Sequence, residues 1–398
     1  MVRIQVQKEL DFITKKKRLT VEETRQITVF IVYCKKIERL FFKPLAISFF
    51  ITVVEFTEIF SQSQYIINLL SLILTQKLHL IVYHDRWLYF FNGKYFEPCP
   101  SKQELQCILR ELCEAAAYLW KRFSVHDKTV KRLLSHVQQN AVKVDYPPDI
   151  SKYVVFENGV LNLDTLELED FTPQKFFTSM IHADWLAENK ACPEYEKVIN
   201  TYTNHEAPLN KRINEVLGVC LTNDMVKKLF CFLGVTNSGR TFLLSFLIRL
   251  FNNSATVTMQ PNDLGRQFAP SMVYGKSLCC CMDMDSAPLN TKATAFLKGI
   301  SGADMLSAEF KGENGSVPFQ SRAHIINASN YDITTKMPDA AFDMRKLVIP
   351  FKYRLTDNAE PFEVLMDKLE REKAAIVRKL ILAYKALKDN HYEFSDSE

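Results

Sequence analysis

A short apolar stretch, Leu229–Leu233, leads directly into a glycine-containing loop and then into an apolar segment with helical character. The loop places Gly234, Gly239 and Thr241 at the spacing of Gly-x-x-x-x-Gly-Lys-[Ser/Thr], with Arg240 where that pattern has lysine. A strand, a glycine loop and a helix in this order direct backbone N–H groups and the positive end of a helix dipole to one point. The order therefore predicts a phosphate-binding loop at the end of a strand, within an α/β fold.

The predicted phosphate contacts come from the whole loop and from the first turn of the helix that follows it. They are Gly234, Val235, Thr236, Asn237, Ser238, Gly239, Arg240 and Thr241. The Thr241 hydroxyl is the predicted magnesium ligand of this group. Arginine at position 240 keeps the charge of lysine, but its head is planar and larger, so it does not fit the same space unchanged. We expect a loop that still binds phosphate and hydrolyses slowly, and a hydrolysis-deficient loop is the alternative.

Four polar residues lie at or near the ends of later strands. Asp283 and Asp285 end the stretch SLCCCMDMD, where carboxylates beside a phosphate loop can hold magnesium and act on the attacking water. Asn330 ends HIINASN, from which its amide can hold that water. Arg345, just before KLVIPF, is a candidate arginine finger for a neighbouring subunit. Taken singly, each is as readily a solvated charge or a turn residue. Their order behind the loop favours the functional interpretation.

These residues and the stretches between them resemble the superfamily 3 helicases of viruses and mobile elements. The resemblance is strongest to the poxvirus-type NTPase-primase helicase module that phage and plasmid primases share. It rests on GISGADMLSAEFKGENG and RKLVIPF, and upstream of the loop on ENGVLNLDTLEL, ADWLAENKACPEYEKVIN and INEVLGVCLTND. In all it covers about 85–385.

The resemblance implies a role for each matching residue. It assigns the loop to the triphosphate of ATP, or of another NTP, with Mg²⁺. Asp283 falls where the family usually has glutamate, and serves as a metal ligand, with Asp285 nearby. Asn330 becomes the sensor and Arg345 the finger. Lys311 falls on a hairpin that projects into the DNA channel of a hexamer, where a ring of lysines attracts the phosphate backbone without reading sequence; a solvated loop lysine is the alternative.

The predicted fold class is mixed α and α/β, with a C-terminal AAA+-type P-loop domain around a central, mainly parallel sheet. The chain is predicted to have four regions. They are a helical N-terminal segment of unknown role at 1–80, a small α+β domain at 81–204 that resembles the region preceding the helicase in poxvirus-type NTPases, the superfamily 3 helicase ATPase domain at 205–355, and a C-terminal helical region at 356–398. Inside the second region, Asn92-Gly93 and Asn158-Gly159 each predict a hairpin turn.

Composition argues against a membrane-spanning or disulfide-stabilised protein. The chain has 47% hydrophobic and 24% charged residues, the balance of a soluble globular protein. Its most apolar runs, 44–54 and 65–76, are shorter than the roughly 18–20 residues of a membrane span, so we expect buried helices. The ten cysteines include no Cys-x-x-Cys pair, and no signal-peptide core is present at the start, which predicts free thiols in an intracellular, reducing compartment.

The predicted function is an ATP-dependent DNA helicase of viral or mobile-element replication. Its expected partners are single-stranded or forked DNA and further copies of the chain in a ring, expected to be a hexamer. Residues 1–80 are too short for a primase domain, so any primase or polymerase would be a separate partner. A hydrolysis-deficient ring subunit or a DNA-binding accessory protein is the first alternative. A phosphotransferase is disfavoured, because it would leave the helicase-like segments 299–311 and 345–351 unexplained. The expected location is a viral replication site, in nucleus or cytoplasm.

Overall fold

The computed structural model describes residues 66–99, 101–120, 125–260, 263–284, 286–311, 315–355 and 360–396. For residues 66, 115, 116, 118–120, 283 and 284 it describes the backbone alone. Most of the predicted N-terminal segment, including the apolar run 44–54, lies outside the described residues. The described chain forms two compact units. One runs up to Tyr146 and includes Phe171–Phe176, and the other contains Pro147–Asp170 and everything from Phe177 onward.

The first unit is a small antiparallel sheet covered by helices. Its elements are α1 (Ile66–Leu72), a π-helical extension of α1 (Ile73–Lys77), β1 (Ile81–His84), β2 (Trp87–Phe91), β3 (Phe96–Pro98), α2 (Lys102–Trp120), α3 (Asp127–Asn140) and β4 (Val142–Lys143). The strand order is β3-β2-β1-β4, and only β4 pairs in parallel. The helical run near residue 70 is buried in the core of this unit, as its sequence predicts.

The two Asn-Gly pairs both lie at hairpins, with different geometry. Strands β2 and β3 are joined by the four residues 92–95 rather than by a two-residue turn, because the Asn92 side chain accepts hydrogen bonds from the N–H groups of Lys94 and Tyr95, 3.0 Å each. At the second pair the turn is Glu157-Asn158. There Gly159 already pairs with Phe156 across the strands.

The second unit contains three sheets and the longest helix of the described chain. Its elements are β5 (Tyr153–Phe156), β6 (Gly159–Asn162), β7 (Leu168–Glu169), α4 (Pro193–Thr203), α5 (Ala207–Cys220), β8 (Leu229–Gly234), α6 (Arg240–Arg249), β9 (Thr256–Met259), α7 (Ala269–Val273), β10 (Leu278–Met284), α8 (Thr291–Ser301), β11 (Met305–Glu309), β12 (Ser316–Gln320), β13 (His324–Ser329), α9 (Ala340–Asp343), β14 (Lys346–Phe351) and α10 (Phe362–Asp389), with short 3-10 turns at Ile150–Lys152 and Asn253–Ala255. Strands β5–β7 form one antiparallel sheet, and β11 with β12 forms a hairpin.

The central sheet has five strands in the order β14-β8-β13-β10-β9, and every neighbouring pair is parallel. Helices cover both faces, as expected of a parallel sheet. On β8, Phe230 and Phe232 face the core that contains α5 and α10, whereas Leu229 and Cys231 face the core that contains α8. The mixed α and α/β fold class with a central parallel sheet is therefore confirmed.

The division into units differs from the predicted domain boundary at 204/205. Residues 147–170 and 177–204 pack with the parallel sheet, because Phe156, Trp185 and Tyr195 are buried in one core with Phe230. Helix α10 belongs to the same core and is not a separate region. It lies so close to α5 that a Cβ at Gly218 would be 2.2 Å from the Leu380 carbonyl oxygen.

The three consecutive cysteines of β10 behave as small apolar residues. Cys279, Cys280 and Cys281 are buried and form no disulfide, and Cys279 and Cys281 pack on the α8 face of the sheet. Cys231 on β8 is buried on the same face, and burial raises the pKa of its thiol to about 12. Such thiols stay protonated and unreactive at neutral pH. Within the described chain, no helix is long and apolar enough to cross a membrane.

Candidate functional site

The glycine loop joins β8 to α6, at the carboxyl edge of the parallel sheet. Gly234 ends β8, where a Cβ would lie 1.9 Å from the Phe351 carbonyl oxygen at the end of the neighbouring strand β14. That carbonyl accepts a hydrogen bond from the Val235 N–H, 3.1 Å. The first glycine of the pattern is therefore required by close packing against β14, in addition to any role towards phosphate.

The second glycine has a left-handed backbone. Gly239 has φ = +88°, and a Cβ there would lie 2.3 Å from a ring carbon of Tyr202, at the end of α4. Asn237 is also left-handed, with φ = +59°. Its carbonyl accepts a hydrogen bond from the Leu355 N–H, 2.7 Å, and its side-chain amide donates to the Leu355 carbonyl, 3.3 Å. The loop is thus fixed from two sides, by α4 and by the segment after β14.

The loop offers donors for an anion. Ser238 is 2% exposed, and its hydroxyl has no hydrogen-bond partner within the described part of the chain. Helix α6 begins directly after Gly239, so its first N–H groups have no partners within the helix. Thr241 lies exposed in that first turn. An unpaired buried hydroxyl beside helix N–H donors fits the oxygen-rich phosphate chain of a nucleotide.

Arg240 does not extend from the loop as an unbound cation. Its Nη1 donates to the Ser329 carbonyl at the end of β13, and its Nη2 donates to the Val235 carbonyl, 3.2 Å, and to Asn330 Oδ1, 2.5 Å. The guanidinium therefore links the glycine loop to the tip of the neighbouring strand. A lysine has one ammonium group and could not make this fork of bonds.

The sheet order brings three of the predicted site positions to one edge. Strand β13 lies between β8 and β10, with Ser329 opposite Leu233 of β8 and opposite Met284 of β10. Asn330, the next residue, is exposed and bonded to Arg240. The backbone of Asp283 lies near the end of β10, and its side chain is not among those described. Asp285 lies outside the described residues, so the roles of both carboxylates stay predictions.

A cavity of about 850 Å³ opens beside the loop. It is lined by the end of α4 with its cap (Lys197, Val198, Thr201, Tyr202 and Asn204), by the loop and the start of α6 (Asn237–Phe242), by the segment after β14 (Tyr353, Arg354 and Leu355) and by the approach to α10 (Glu360, Phe362 and Leu365). Its size falls in the range of sites for organic ligands, about 300–1,000 Å³. The lining combines aromatic rings with polar groups, which suits a nucleoside.

Sequence reasoning missed the residues of this cavity outside the loop. Tyr202 packs edge-on to Phe242 with ring centroids 6.4 Å apart, and Phe242 packs edge-on to Phe362 at 5.3 Å. Tyr353 donates a hydrogen bond from its hydroxyl to Glu206. That contact raises the pKa of Tyr353. One local signal was available, and it concerns Asn204. Asn commonly ends helices in the left-handed conformation, and Asn204 ends α4 in that way and lines the cavity.

Arg345 lies at the other edge of the sheet. The next residue, Lys346, pairs with Leu229 at the start of β8, so the loop is one strand length away. Arg345 Nη1 donates to the Lys298 carbonyl and to the Ser301 hydroxyl, 3.4 Å, at the C-terminal end of α8. A cation there is favoured by the helix dipole. Within one chain the structure therefore does not bring Arg345 to the loop, and its role as a finger stays a prediction about a neighbouring subunit.

Lys311 lies in the connection of the β11–β12 hairpin, where its side chain is exposed. Phe310, beside it, stacks edge-on to Tyr274 with ring centroids 5.5 Å apart, which fixes the hairpin to the segment after α7. The predicted hairpin is therefore present, with a lysine at its turn. Its contact with DNA stays a prediction.

Comparison with family models gives two matches, one upstream of β8 and one that begins within β8 and includes the glycine loop. Residues 71–204 match the D5 N terminal like family model. Residues 232–345, from the loop strand to Arg345, match a family of unknown function, DUF5906. The first match contains the upstream segments ENGVLNLDTLEL and ADWLAENKACPEYEKVIN, on which part of the predicted family resemblance rests.

Solved structures show the same fold. The chain resembles the A form apo structure of the NrS-1 C terminal region with a TM-score of 0.51 and 14% identity, over 82% of this chain and 75% of that one. It also resembles an apo structure of NrS-1 residues 305–718, with a TM-score of 0.51 and 12% identity over 80% and 72%. No curated protein matches the chain in sequence.

Proposed function

We propose that the second unit binds a nucleoside triphosphate and hydrolyses it to drive a DNA helicase of viral or mobile-element replication. The observation that carries the proposal is that the loop 234–241 opens onto the cavity of about 850 Å³, so a phosphate site and a nucleoside-sized space adjoin. The D5 N terminal like match and the NrS-1 fold support it, because both agree with the helicase resemblance of the sequence.

Each residue of the loop has a separate task in this proposal. The N–H groups at the start of α6 and the Ser238 hydroxyl hold phosphate oxygens. Mg²⁺, held by the Thr241 hydroxyl and Asp283, would neutralise charge on the triphosphate. Asn330, at the tip of β13, orients the attacking water, and Asp285 accepts its proton. The base and ribose lie against Tyr202 and the segment after β14.

Helicase action requires neighbouring subunits and DNA. Arg345 would reach the nucleotide of the next subunit in a ring, expected to be a hexamer, and leave its bonds at the end of α8 to do so. Exposed apolar side chains in the segment that leads to it, Tyr331, Met337 and Met344, support self-association, since Met337 and Met344 are 70% and 71% exposed. A separate primase or polymerase would complete the replication machinery.

A nucleotide-binding subunit without turnover is the second candidate. It is favoured by one observation, the bonds that Arg240 makes to Ser329, Val235 and Asn330. Because of these bonds, the Arg240 guanidinium and the Asn330 amide oxygen are engaged with protein atoms and are not directed at a phosphate. Steady-state ATP hydrolysis by the purified protein, with and without single-stranded DNA, separates the two candidates.

Replacing Thr241 by alanine is expected to lower hydrolysis by about 10² in rate, because the magnesium loses its loop ligand. Ser245→Ala, one turn further along α6, is the matched control and should leave the rate unchanged. Calorimetry should show that the wild type binds Mg–ATP more tightly than Mg–tripolyphosphate, which can occupy the loop alone. Equal rates for Thr241→Ala and the control would contradict the magnesium assignment, and the absence of binding of either compound would contradict the proposed function.

Lys311→Ala is expected to weaken binding of single-stranded DNA for all sequences, and to reduce the slope of log affinity against log salt by about 0.7–1. Nucleotide binding should not change. The control is Lys227→Ala, which removes an exposed lysine just before β8, at the opposite edge of the sheet from the loop. Fluorescence anisotropy over a salt series measures both quantities. Equal DNA affinities of the wild type and Lys311→Ala at low salt would restore the solvated-loop interpretation.

A further inference from the structure

Residues 391–396, which follow α10, fold back onto the second unit. Tyr392 donates a hydrogen bond from its hydroxyl to Asp224 Oδ2, in the loop before β8. The Phe394 ring lies against Phe230 of β8, with centroids 6.0 Å apart. The segment is thus docked both by a polar contact and by apolar packing.

Ser395 is the most completely bonded residue of this segment. Its N–H and its hydroxyl both donate to the carboxylate of Glu215 on α5, at 2.9 and 2.8 Å, and its carbonyl accepts from Arg212 Nε. Arg212 also donates to Asp396 Oδ1, 3.2 Å, and to the Val348 carbonyl of β14, 3.1 Å. A glutamate and an arginine one turn apart on α5 therefore hold the Ser-Asp pair between them.

Both α5 side chains are buried, at 3% exposed for Glu215 and 9% for Arg212. Buried charges are stable only when they are paired and hydrogen-bonded. Ser395 supplies two donors to the carboxylate, while Lys211 lies at the edge of the site with its Nζ 3.8 Å from Glu215 Oε1. Glu215 and Asp396 are balanced by Arg212 and Lys211, so the docked site is electrically neutral.

We propose that Ser395 is a phosphorylation site that controls the docking of residues 391–396. The Ser395 hydroxyl oxygen would form a bond to the γ-phosphorus of ATP on a protein kinase, as the bond between that phosphorus and the β–γ bridging oxygen breaks. ADP leaves, and a kinase carboxylate accepts the hydroxyl proton. Three acidic residues flank Ser395 in the sequence, Glu393, Asp396 and Glu398. Such an acidic sequence fits a kinase whose substrate groove is basic.

A phosphate at this oxygen is incompatible with the docked state. The hydroxyl loses the proton that it donates to Glu215, and about −1.5 to −2 of charge is placed beside a buried carboxylate. Arg212 compensates only in part, because it carries a single positive charge and three of its five N–H donors are already bonded to Ser395, Asp396 and Val348. The neutral site becomes strongly negative, and the segment detaches from α5.

Detachment would also remove contacts from two strands of the central sheet. The docked segment covers Phe230 on β8, the strand that ends in the phosphate loop, and reaches β14 through Arg212 and Val348. A kinase takes an extended substrate, so it acts on the detached state, and phosphorylation then prevents re-docking. This is a shift in the population of two states.

The test uses the full chain and hydrogen exchange of residues 391–396. Ser395→Asp is expected to speed exchange there by about tenfold or more, because the segment detaches. Ser395→Asn, neutral and of similar size, is the matched control and should stay close to wild type. Adding Glu215→Gln to Ser395→Asp should restore slow exchange, because the amide can donate to the new carboxylate. Equal exchange in Ser395→Asp and Ser395→Asn would overturn the proposal.

Direct phosphorylation provides the second measurement. An acid-directed serine kinase with ATP should add phosphate to the wild type and to Ser397→Ala, and the phosphorylated segment should exchange as fast as Ser395→Asp. Ser395→Ala should accept no phosphate at this position. A wild type that accepts phosphate only at Ser397, or a protein phosphorylated at Ser395 whose segment stays protected, would contradict the proposal even if the double variant failed to fold.

Discussion

Replacing Arg240 by lysine is expected to raise the rate of ATP hydrolysis by about 10²–10³, the value of one well-placed transition-state donor. In the wild type the guanidinium is bonded to the Ser329 and Val235 carbonyls and to the Asn330 amide oxygen. A lysine ammonium is a compact point charge that can lie between the β- and γ-phosphates. The change would also free Asn330 to hold the attacking water. Slow wild-type hydrolysis and faster Arg240→Lys hydrolysis are the expected pair of results.

Arg249→Lys is the matched control for this experiment. Arg249 lies at the end of the same helix, α6, where it pairs with Glu363 at 3.4 Å and is far from the loop. Its replacement should not change the rate. A change of less than about tenfold in Arg240→Lys would indicate a pocket adapted to arginine. Hydrolysis that is absent in both proteins, with nucleotide binding retained, would establish the nucleotide-binding subunit in place of the helicase.

Replacing Gly239 by valine is expected to abolish binding of Mg–ATP. Two effects act together: a β-branched residue is strained at φ = +88°, and its Cβ would lie 2.3 Å from the Tyr202 ring. Either the loop or Tyr202 must move, and both line the cavity. The structure therefore changes the reason for the effect, because the added side chain meets the protein before it meets a phosphate. Calorimetry with Mg–ATP measures the loss.

Gly275 offers a control for backbone strain alone. It has φ = +67°, and nothing lies within 4 Å of the position of its Cβ. Gly275→Val should lower stability through strain and leave Mg–ATP binding intact. Thermal unfolding of both variants shows whether Gly239→Val is folded under the binding conditions. Unchanged affinity in a folded Gly239→Val protein would remove the loop from the nucleotide site.

Short-range sequence signals predicted the elements of the second unit well. Strand β8, the glycine loop and α6 follow one another within about twenty residues, and their order alone fixes the direction of the strand and the place of the helix N-terminus. The stretches SLCCCMDMD, HIINASN and KLVIPF were also predicted as strands, and the structure contains all three in the central sheet. Asn330 and Asp283 were predicted at or near strand ends, and the strand pairings bring the backbones of both to one edge of the sheet.

Contacts between distant parts of the chain were decided only by the tertiary structure. Arg240 contacts Ser329 and Asn330 because β13 lies beside β8 in the sheet. The order of strands in a sheet cannot be predicted from a local sequence pattern. The observed unit boundary differs from the predicted one for the same reason. The sequence predicts residues 147–170 as part of a separate α+β domain, but their apolar side chains are buried in the core of the parallel sheet.

By itself, the sequence determined which reactive side chains this chain carries and where they lie along it: a glycine loop with an arginine, a strand-end asparagine and a hairpin lysine. The tertiary structure alone decided which groups those residues meet. Tyr202 and Tyr353 line the cavity, and Ser395 reaches Glu215, across sequence separations that a local pattern does not span. The physical reason is that spacing along the chain fixes backbone conformation, whereas side-chain pairing depends on how separate apolar faces pack into a common core.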